Sequence, residues 1–195
     1  MNKKICAWAA HTYPDYISYH NEEWGVPVHE DKTHFEFLTL EGAQAGLSWR
    51  TILNKRGGYR EAFADFNVSR ISKFTSTHLA SLMTNPNIVR NRLKIASVHE
   101  NAKAFIQIQK EFGSFDAYVW RFVDHRPIQG AWHAKKEGPP SQSNRSLQIS
   151  KDLKKRGFTF VGSTIMYAYM QAIGMVNDHG HDCYRYRQIK ALTSS

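Results

Sequence analysis

Cysteine is scarce in this sequence. The 195 residues include two cysteines, Cys6 and Cys183, which lie at opposite ends of the chain. Small secreted domains that rely on disulfides carry several closely spaced cysteine pairs, so this class is excluded. In a reducing compartment the two thiols stay free or bind a metal ion.

Long apolar runs are also missing, which argues against a membrane protein. The longest apolar stretch, residues 165–176, contains Gln171 and falls short of the roughly 20 residues that span a bilayer. The apolar segment 5–10 near the amino terminus is too short for a secretory signal. We therefore predict a cytoplasmic protein without membrane association.

Acidic residues are outnumbered by basic ones. There are 17 Asp and Glu against 26 Lys and Arg, which gives a formal net charge of +9. This balance suits a polyanionic partner, nucleic acid first, although a generically basic protein has the same balance. Aromatic residues make up 13% of the chain, and bases stack on aromatic rings. An apolar content of 42% is enough to bury a core.

Sustained strand-like alternation is absent as well, and apolar residues recur at helical spacing. Examples are Tyr59, Phe63 and Phe66, and Ile95, Val98, Ala102 and Phe105. Asp31, Ser48 and Ser114 are predicted to cap helices, and Gly157 to end one. Residues 124–144 are polar, hold three prolines and lack periodicity, which indicates a long loop. The sequence therefore predicts an all-α fold.

A possible metal site combines both ends of the chain. His179 and Cys183 are spaced i, i+4, which brings two ligands to one metal if the backbone is helical. The candidate set of two thiolates and two imidazoles is Cys6, His20, His179 and Cys183. Four such ligands close a tetrahedral structural zinc site. His181 and Asp182 are alternative ligands by spacing, and buried thiols without any metal are a further alternative.

Two segments offer groups that suit a base. Residues 40–49 place the Glu41 carboxylate, the flexible Gly46, the apolar Leu47 and the Trp49 indole close together. Leu47 suits a wedge into a base stack, and Trp49 suits a platform for an extruded base. Alternatively, Glu41 is a solvated helix residue and Trp49 is anchored in the core. On one helix face, Tyr16, Tyr19 and His20 are grouped, either as a binding surface or as an aromatic core stripe.

Residues 82–94 read as a helical hairpin whose turn contains Pro86. The free amides at the start of its second helix could hold a DNA phosphate. Arg90, Arg92 and Lys94 would add positive charge there, although a solvated basic face fits equally well.

These elements occur together in one family: the sequence resembles bacterial 3-methyladenine DNA glycosylase type I, of the helix-hairpin-helix superfamily. The resemblance runs from Cys6 to Tyr184. The matching pieces are Cys6-Ala7-Trp8, residues 16–27 ending in Trp24-Gly25-Val26-Pro27, residues 40–49, and residues 153–179. Two parts depart from it: Asn85-Pro86-Asn87 replaces the glycine-rich hairpin turn, and residues 129–143 match no family motif.

The resemblance implies a role for each candidate residue. One structural zinc ion would be bound by Cys6, His20, His179 and Cys183. The base pocket would fall on Glu41, Tyr19 and Trp49, with Tyr16 and Trp8 nearby. Gly46 and Leu47 would insert into DNA. We expect Trp49 and Tyr19 to sandwich the flipped base, and an ionised Glu41 to accept a hydrogen bond from its amine.

The implied activity is hydrolysis of the N-glycosidic bond of 3-methyladenine in alkylated double-stranded DNA. No lysine occupies a matching position for a Schiff base, so the resemblance implies base removal without strand cleavage, by a monomer. One unit is expected, with residues 30–112 as a central lobe and residues 1–29 plus 113–195 as a zinc-containing second lobe.

Two rivals belong to other classes of protein. A non-enzymatic DNA-binding protein with structural zinc would place Glu41, Tyr19 and Trp49 far apart. A zinc-dependent deaminase needs a Pro-Cys-x-x-Cys pair, which two distant cysteines cannot supply.

Overall fold

The computed structural model describes residues 3–10, 12–130 and 138–192, and they are mostly helical. The helices are α1 (Pro14–Glu22), α2 (Asp31–Gln44), α3 (Trp49–Ala62), α4 (Val68–Ile71), α5 (Ser76–Ser81), α6 (Arg92–Phe112), α7 (Phe115–Trp120), α8 (Asn144–Lys155), α9 (Ser163–Ala172) and α10 (Tyr184–Leu192). Short 3₁₀ helices occupy Ala64–Phe66, Leu82–Thr84 and Arg121–Val123.

The helical prediction is confirmed, with one small exception. Two short strands, β1 (Ile128–Gln129) and β2 (Val176–Asn177), pair in parallel. β1 lies in the segment predicted as a loop. A pair of two-residue strands is too short to produce a period-two pattern, so the sequence could not reveal it. None of the helices described is long and apolar enough to cross a membrane.

Helix α2 is the central element of the core. Its residues from His34 to Ala43 are buried, and it packs against α3, α6, α7 and α9. Neighbouring residues of this stretch, such as Phe35, Phe37 and Leu38, point to different sides of the helix and are all buried, so α2 is surrounded by other elements. Any polar side chain in this stretch, Glu41 included, is therefore carried into the interior.

A partly buried arginine, Arg56, connects the first three helices. Arg56 of α3 donates to Glu36 of α2 at 2.7 Å and to Glu23, just after α1, at 2.7 Å. Glu36 is buried, so its charge is compensated by this contact and by Arg60. The bridge fixes how α1 lies against α2 and α3.

Helix boundaries follow the predicted signals with one correction. Ser48 accepts from the Thr51 amide at 3.2 Å, Ser114 accepts from the Ala117 amide at 2.9 Å, and Gly157 follows α8 with a φ of +91°. The prediction for Asp31 was wrong. Asp31 is the first residue of α2, and its carboxylate instead accepts from the amides of Phe115 and Asp116 at the start of α7. There a negative charge is favourable for the helix dipole.

The predicted turn between two helical segments spans residues 85–91, after the Leu82–Thr84 helix and before α6. Helix α3 supports this turn from below. Lys55 donates to the Pro86 carbonyl at 2.6 Å, and the Val89 amide donates to the Tyr59 hydroxyl at 3.3 Å. A Cβ atom at Gly58 would lie 2.3 Å from the Asn87 carbonyl oxygen, so only glycine allows this approach.

Candidate functional site

A cavity of about 210 Å³ opens between α1, α2, the start of α3 and α9. All five residues predicted for base binding or catalysis line it. The lining residues are Trp8, Tyr16, Tyr19, Trp24, Glu41, Gln44, Trp49, Pro139, Ala168 and Gln171. Glu41, Tyr19 and Trp49 therefore share one cavity, in contrast to what the non-enzymatic rival requires.

Among the described residues of this lining, Glu41 is the one with an acidic side chain. Glu41 is 4% exposed, and within the described part of the chain its carboxyl has no hydrogen-bond partner. Burial away from water raises the pKa of Glu41 from 4.5 to about 8. The group is thus mostly protonated at neutral pH, so the acceptor role expected of an ionised Glu41 requires the loss of this proton.

The aromatic side chains contact each other in pairs. The Tyr19 and Trp49 ring centroids lie 5.3 Å apart at an interplanar angle of 48°. A base inserted between two rings needs carbon contacts of roughly 3.5–4.0 Å on each face, so the rings would have to be about 7 Å apart. In this arrangement the two rings contact each other and leave no gap for a base between them. The sandwich of a base between Trp49 and Tyr19 stays a prediction, which requires the two rings to separate.

Trp49 also carries an unsatisfied donor. Its side chain is 9% exposed, and its indole Nε1 is buried without a partner among the described residues. A buried donor without an acceptor costs roughly 1–3 kcal/mol. Two polar groups without partners, Glu41 and Trp49, in one cavity are typical of a site prepared for a ligand.

The loop between α2 and α3 carries the predicted DNA-inserting residues. Gly46 has a φ of +76° with open space around it, and Leu47 is 40% exposed. Lys94 of α6 donates to the carbonyls of Ala43 and Ala45, at 2.8 and 2.6 Å. The Lys94 ammonium group therefore anchors this loop to the first turn of α6, and its positive charge for DNA stays a prediction.

The start of α6 differs from expectation. Asn91 caps the helix, and its Oδ1 accepts from the amides of Leu93 and Lys94 at 3.0 and 3.1 Å. These two amides are consequently not free for a phosphate. Arg90 and Arg92 are exposed, and neither forms an ion pair within the described residues.

The four predicted metal ligands form one buried group. Their ligand atoms, from Cys6, His20, His179 and Cys183, lie within 4.8 Å of one another. His179 Nε2 donates to the Trp24 carbonyl at 2.9 Å, which leaves Nδ1 facing the sulfurs. A hydrogen bond from the Cys6 thiol lowers the pKa of Cys183, and His179 and His20 contribute in the same direction. The group could hold a metal ion.

The metal group and the cavity share a wall. On α1, Tyr16 and Tyr19 line the cavity, whereas His20 belongs to the metal group. Trp8, two residues after Cys6, packs edge-on against both Tyr16 and His20, at centroid distances of 5.3 and 5.2 Å. The helix face predicted from spacing thus serves two neighbouring sites.

The sequence model of the family described as Methyladenine glycosylase matches residues 8–186. The chain belongs to the methyladenine glycosylase family. It is 42% identical over 178 residues to a protein of Haemophilus influenzae named DNA-3-methyladenine glycosylase, covering 91% of this chain and 95% of that one.

Solved structures agree with this assignment. A crystal structure of 3-methyladenine DNA glycosylase I has a TM-score of 0.87 and 42% identity, over 93% of this chain and 98% of that chain. The enzyme of Staphylococcus aureus, studied for its recognition of 3-methyladenine, has a TM-score of 0.86 and 36% identity, over 92% and 94%.

In this methyladenine glycosylase, several residues of the cavity lining were not predicted from the sequence, because their sequence neighbours do not indicate a binding role. Trp24, Gln44, Ala168 and Gln171 line the cavity beside the predicted residues. Of these, Gln171 had a usable signal, because it interrupts the apolar run 165–176. Nothing in the sequence indicates that Lys94 reaches back to α2.

Proposed function

We propose that this protein is a base-excision repair enzyme that flips 3-methyladenine out of alkylated DNA and hydrolyses its N-glycosidic bond. The observation that carries the proposal is the buried, unpartnered Glu41 carboxyl in a cavity walled by tryptophan and tyrosine rings. Such walls suit a flat heterocycle, and a carboxyl suits its polar edge. Membership of the methyladenine glycosylase family supports the same substrate.

Cleavage of the glycosidic bond needs little catalytic assistance from the protein. Methylation at N3 gives adenine a positive charge, so cleavage of the glycosidic bond releases a neutral base without a general acid. Water adds to the sugar and loses a proton to solvent. The protein's contribution is to extrude the base, orient it and exclude competing bases. Interactions that grip only the charged ground state supply selection and not rate.

Protonation of Glu41 adds to this selection. A cationic base beside the carboxyl lowers its pKa from about 8, so binding at neutral pH releases the proton. A neutral adenine provides no such compensation. The affinity for the charged lesion should therefore rise with pH up to about 8, whereas the affinity for normal bases should not.

We propose that duplex DNA is bound across the α2–α3 loop and the 85–91 turn by a monomer. Leu47 would fill the space left by the flipped base, and Gly46 would let the backbone approach the duplex closely. Arg90 and Arg92 would contact phosphates. In this proposal, residues 76–112, which contain α5, the 85–91 turn and α6, form the helix-hairpin-helix element. Residues 30–112 would form one lobe, and residues 1–29 with 113–195 the other.

We propose one structural zinc ion in the Cys6, His20, His179 and Cys183 group. A tetrahedral zinc with Zn–S of roughly 2.3 Å and Zn–N of roughly 2.0–2.1 Å separates sulfur from nitrogen by about 3.6 Å. Three sulfur–nitrogen distances in the group are 3.5, 3.6 and 3.7 Å. Four protein ligands leave no open position, so the ion would stabilise the fold and take no part in hydrolysis.

The decisive experiment is incubation of the purified protein with methylated duplex DNA and identification of the released base by mass spectrometry. We expect free 3-methyladenine and an abasic strand that stays intact until alkali is added. DNA binding without base release would favour the non-enzymatic alternative, and strand cleavage without alkali would contradict the absence of lyase activity. If Glu41→Gln excises 3-methyladenine at the wild-type rate and still excludes normal bases, Glu41 neither selects nor catalyses.

A further inference from the structure

Besides Glu41, the cavity lining contains two glutamines, Gln44 and Gln171, and the orientation of the Gln171 side chain is fixed. Gln171 of α9 lines the cavity together with Glu41 and Trp49. Its amide nitrogen donates to Asp178 Oδ2 at 2.9 Å. Because this bond holds the nitrogen on the Asp178 side, the orientation of the amide is set, and its carbonyl oxygen is the acceptor that Gln171 offers to a ligand.

Asp178 is itself held from several sides. It is 2% exposed, directly follows β2, and its Oδ2 also accepts from the Tyr167 hydroxyl at 2.7 Å. Burial and the Asp178 charge raise the pKa of Tyr167, so this hydroxyl remains a donor. A Cβ atom at Gly130 would lie only 2.0 Å from Asp178 Oδ1, so the backbone there closes over the carboxylate. A flipped Gln171 amide would place oxygen against oxygen and is disfavoured.

Gln44 provides an internal comparison. It lines the same cavity, but no residue in the described ranges forms a hydrogen bond with its side-chain amide. Gln44 can therefore turn either its nitrogen or its oxygen towards a ligand. Of the two amides, only Gln171 is held in one orientation by a hydrogen bond from its nitrogen.

We propose that Gln171 determines specificity by reading the group at C6 of the flipped purine, with Asp178 as the positioning residue that keeps the Gln171 oxygen turned to the base. The inference rests on the proposed function. Adenine carries an amino donor at C6, and guanine carries a carbonyl acceptor there. The fixed oxygen accepts a hydrogen bond from 3-methyladenine. Opposite 3-methylguanine it meets a second acceptor, and both are left buried without a partner.

The first test is Gln171→Met, which keeps the length of the side chain and removes its acceptor. Duplex DNA treated with a methylating agent is digested under single-turnover conditions, and released 3-methyladenine and 3-methylguanine are counted by mass spectrometry. We expect the variant to lose about tenfold or more of the preference for 3-methyladenine. Gln107→Met, on the exposed face of α6, is the matched control and should keep the wild-type ratio. An unchanged ratio in Gln171→Met overturns the inference.

The second test is Asp178→Asn, which allows the residue at 178 to donate to the Gln171 oxygen. The Gln171 amide can then turn its nitrogen to the cavity, so release of 3-methylguanine should rise relative to 3-methyladenine. A ratio equal to that of the wild type in a variant with normal thermal stability would remove Asp178 from the proposal. A structural role alone would lower both rates together.

Binding of the free bases separates this inference from the proposed function. Tryptophan fluorescence, with Trp49 in the cavity, reports titration with free 3-methyladenine or 3-methylguanine. If the wild type releases no base from DNA but prefers free 3-methyladenine in a manner that depends on Gln171, the proposed function fails and the inference stands. If the wild type excises 3-methyladenine and Gln171→Met changes neither preference, the inference fails and the function stands.

Discussion

Glu41 stands out at the residue scale, because its environment stabilises its neutral form. The folded protein holds the Glu41 proton up to about pH 8, whereas the ordinary pKa is 4.5. Between these values the folded state binds more protons than the unfolded state, so the free energy of unfolding falls as pH rises. The site thus costs stability in the pH range where the enzyme is expected to work.

We predict that Glu41→Gln removes this pH dependence. The pKa rises from 4.5 to about 8, and each pKa unit corresponds to roughly 1.4 kcal/mol. The variant should therefore melt roughly 10–20 °C above the wild type at pH 9 and close to it at pH 5. The measurement is thermal unfolding across this range. Glu22→Gln, which removes an exposed carboxylate from α1, is the matched control and should follow the wild type. Parallel wild-type and Glu41→Gln curves would mean that Glu41 is ionised in the cavity.

Leu47 allows a second test at this scale. Leu47→Ala should lower single-turnover excision from duplex DNA by about tenfold or more, because the extruded base loses the side chain that replaces it in the stack. Binding of free 3-methyladenine should not change. Leu147→Ala is a close control, since Leu147 is 41% exposed and Leu47 is 40% exposed. Normal excision by Leu47→Ala would remove Leu47 from the proposed DNA contact.

At the scale of the elements, helix α3 has two roles that are not evident from its sequence. Its amino terminus positions Trp49, and its middle supports the 85–91 turn through Lys55, Gly58 and Tyr59. Two adjacent glycines, Gly57 and Gly58, look equivalent in the sequence. In the structure a Cβ atom at Gly57 would meet open space, whereas one at Gly58 would collide with the Asn87 backbone.

The two glycines should therefore respond in opposite directions to the same substitution. Gly57→Ala should stabilise the protein by roughly 0.5–1 kcal/mol, because alanine restricts the unfolded chain and suits a helix interior. Gly58→Ala should destabilise it by roughly 1–3 kcal/mol through the forced shift of the turn. Denaturant unfolding of both variants measures the difference. Equal effects would mean that α3 and the turn do not pack as closely as the structure has them.

How far the sequence predicts these elements depends on how local the cause is. Ser48 and Ser114 cap helices through contacts three residues away, and both were predictable. Asp31 also has a side chain that can cap a helix, but the amides that it caps belong to α7, more than 80 residues later. Lys94 and Gln171 are similar cases: their partners or neighbours come from other helices. A single sequence carries no distance information of this kind.

The whole molecule is joined at its two ends. Cys6 and His20 come from the amino-terminal segment, and His179 and Cys183 from the carboxyl-terminal one. The Tyr184 amide also donates to the Lys4 carbonyl at 2.9 Å. The spacing of these residues suggested the group but left His181 and Asp182 as alternative ligands, and the family resemblance implied the same four residues. Its position beside the cavity follows from α1, whose spacing places His20 on the same face as Tyr16 and Tyr19.

A metal ion in this group closes a loop of more than 170 residues, from Cys6 to His179. Cross-links over long loops limit the unfolded chain most, so Cys183→Ser should lose stoichiometric metal and melt well below the wild type. Metal content and thermal unfolding give the two readouts. Asp182→Asn is the control: Asp182 pairs with Lys4 on the exposed surface, and such pairs contribute about 0–1 kcal/mol.

The excision rate separates stability from chemistry in the same variant. Glu41 and Trp49 belong to α2 and α3, neither of which supplies a metal ligand, so folded Cys183→Ser should still excise 3-methyladenine at low temperature. Loss of excision in a folded, metal-free variant would mean that the wall formed by Trp8 and Tyr16 needs the metal to hold the base. Full metal content in Cys183→Ser would instead make His181 or Asp182 a ligand, and the arrangement of the four buried side chains would then have to change on binding.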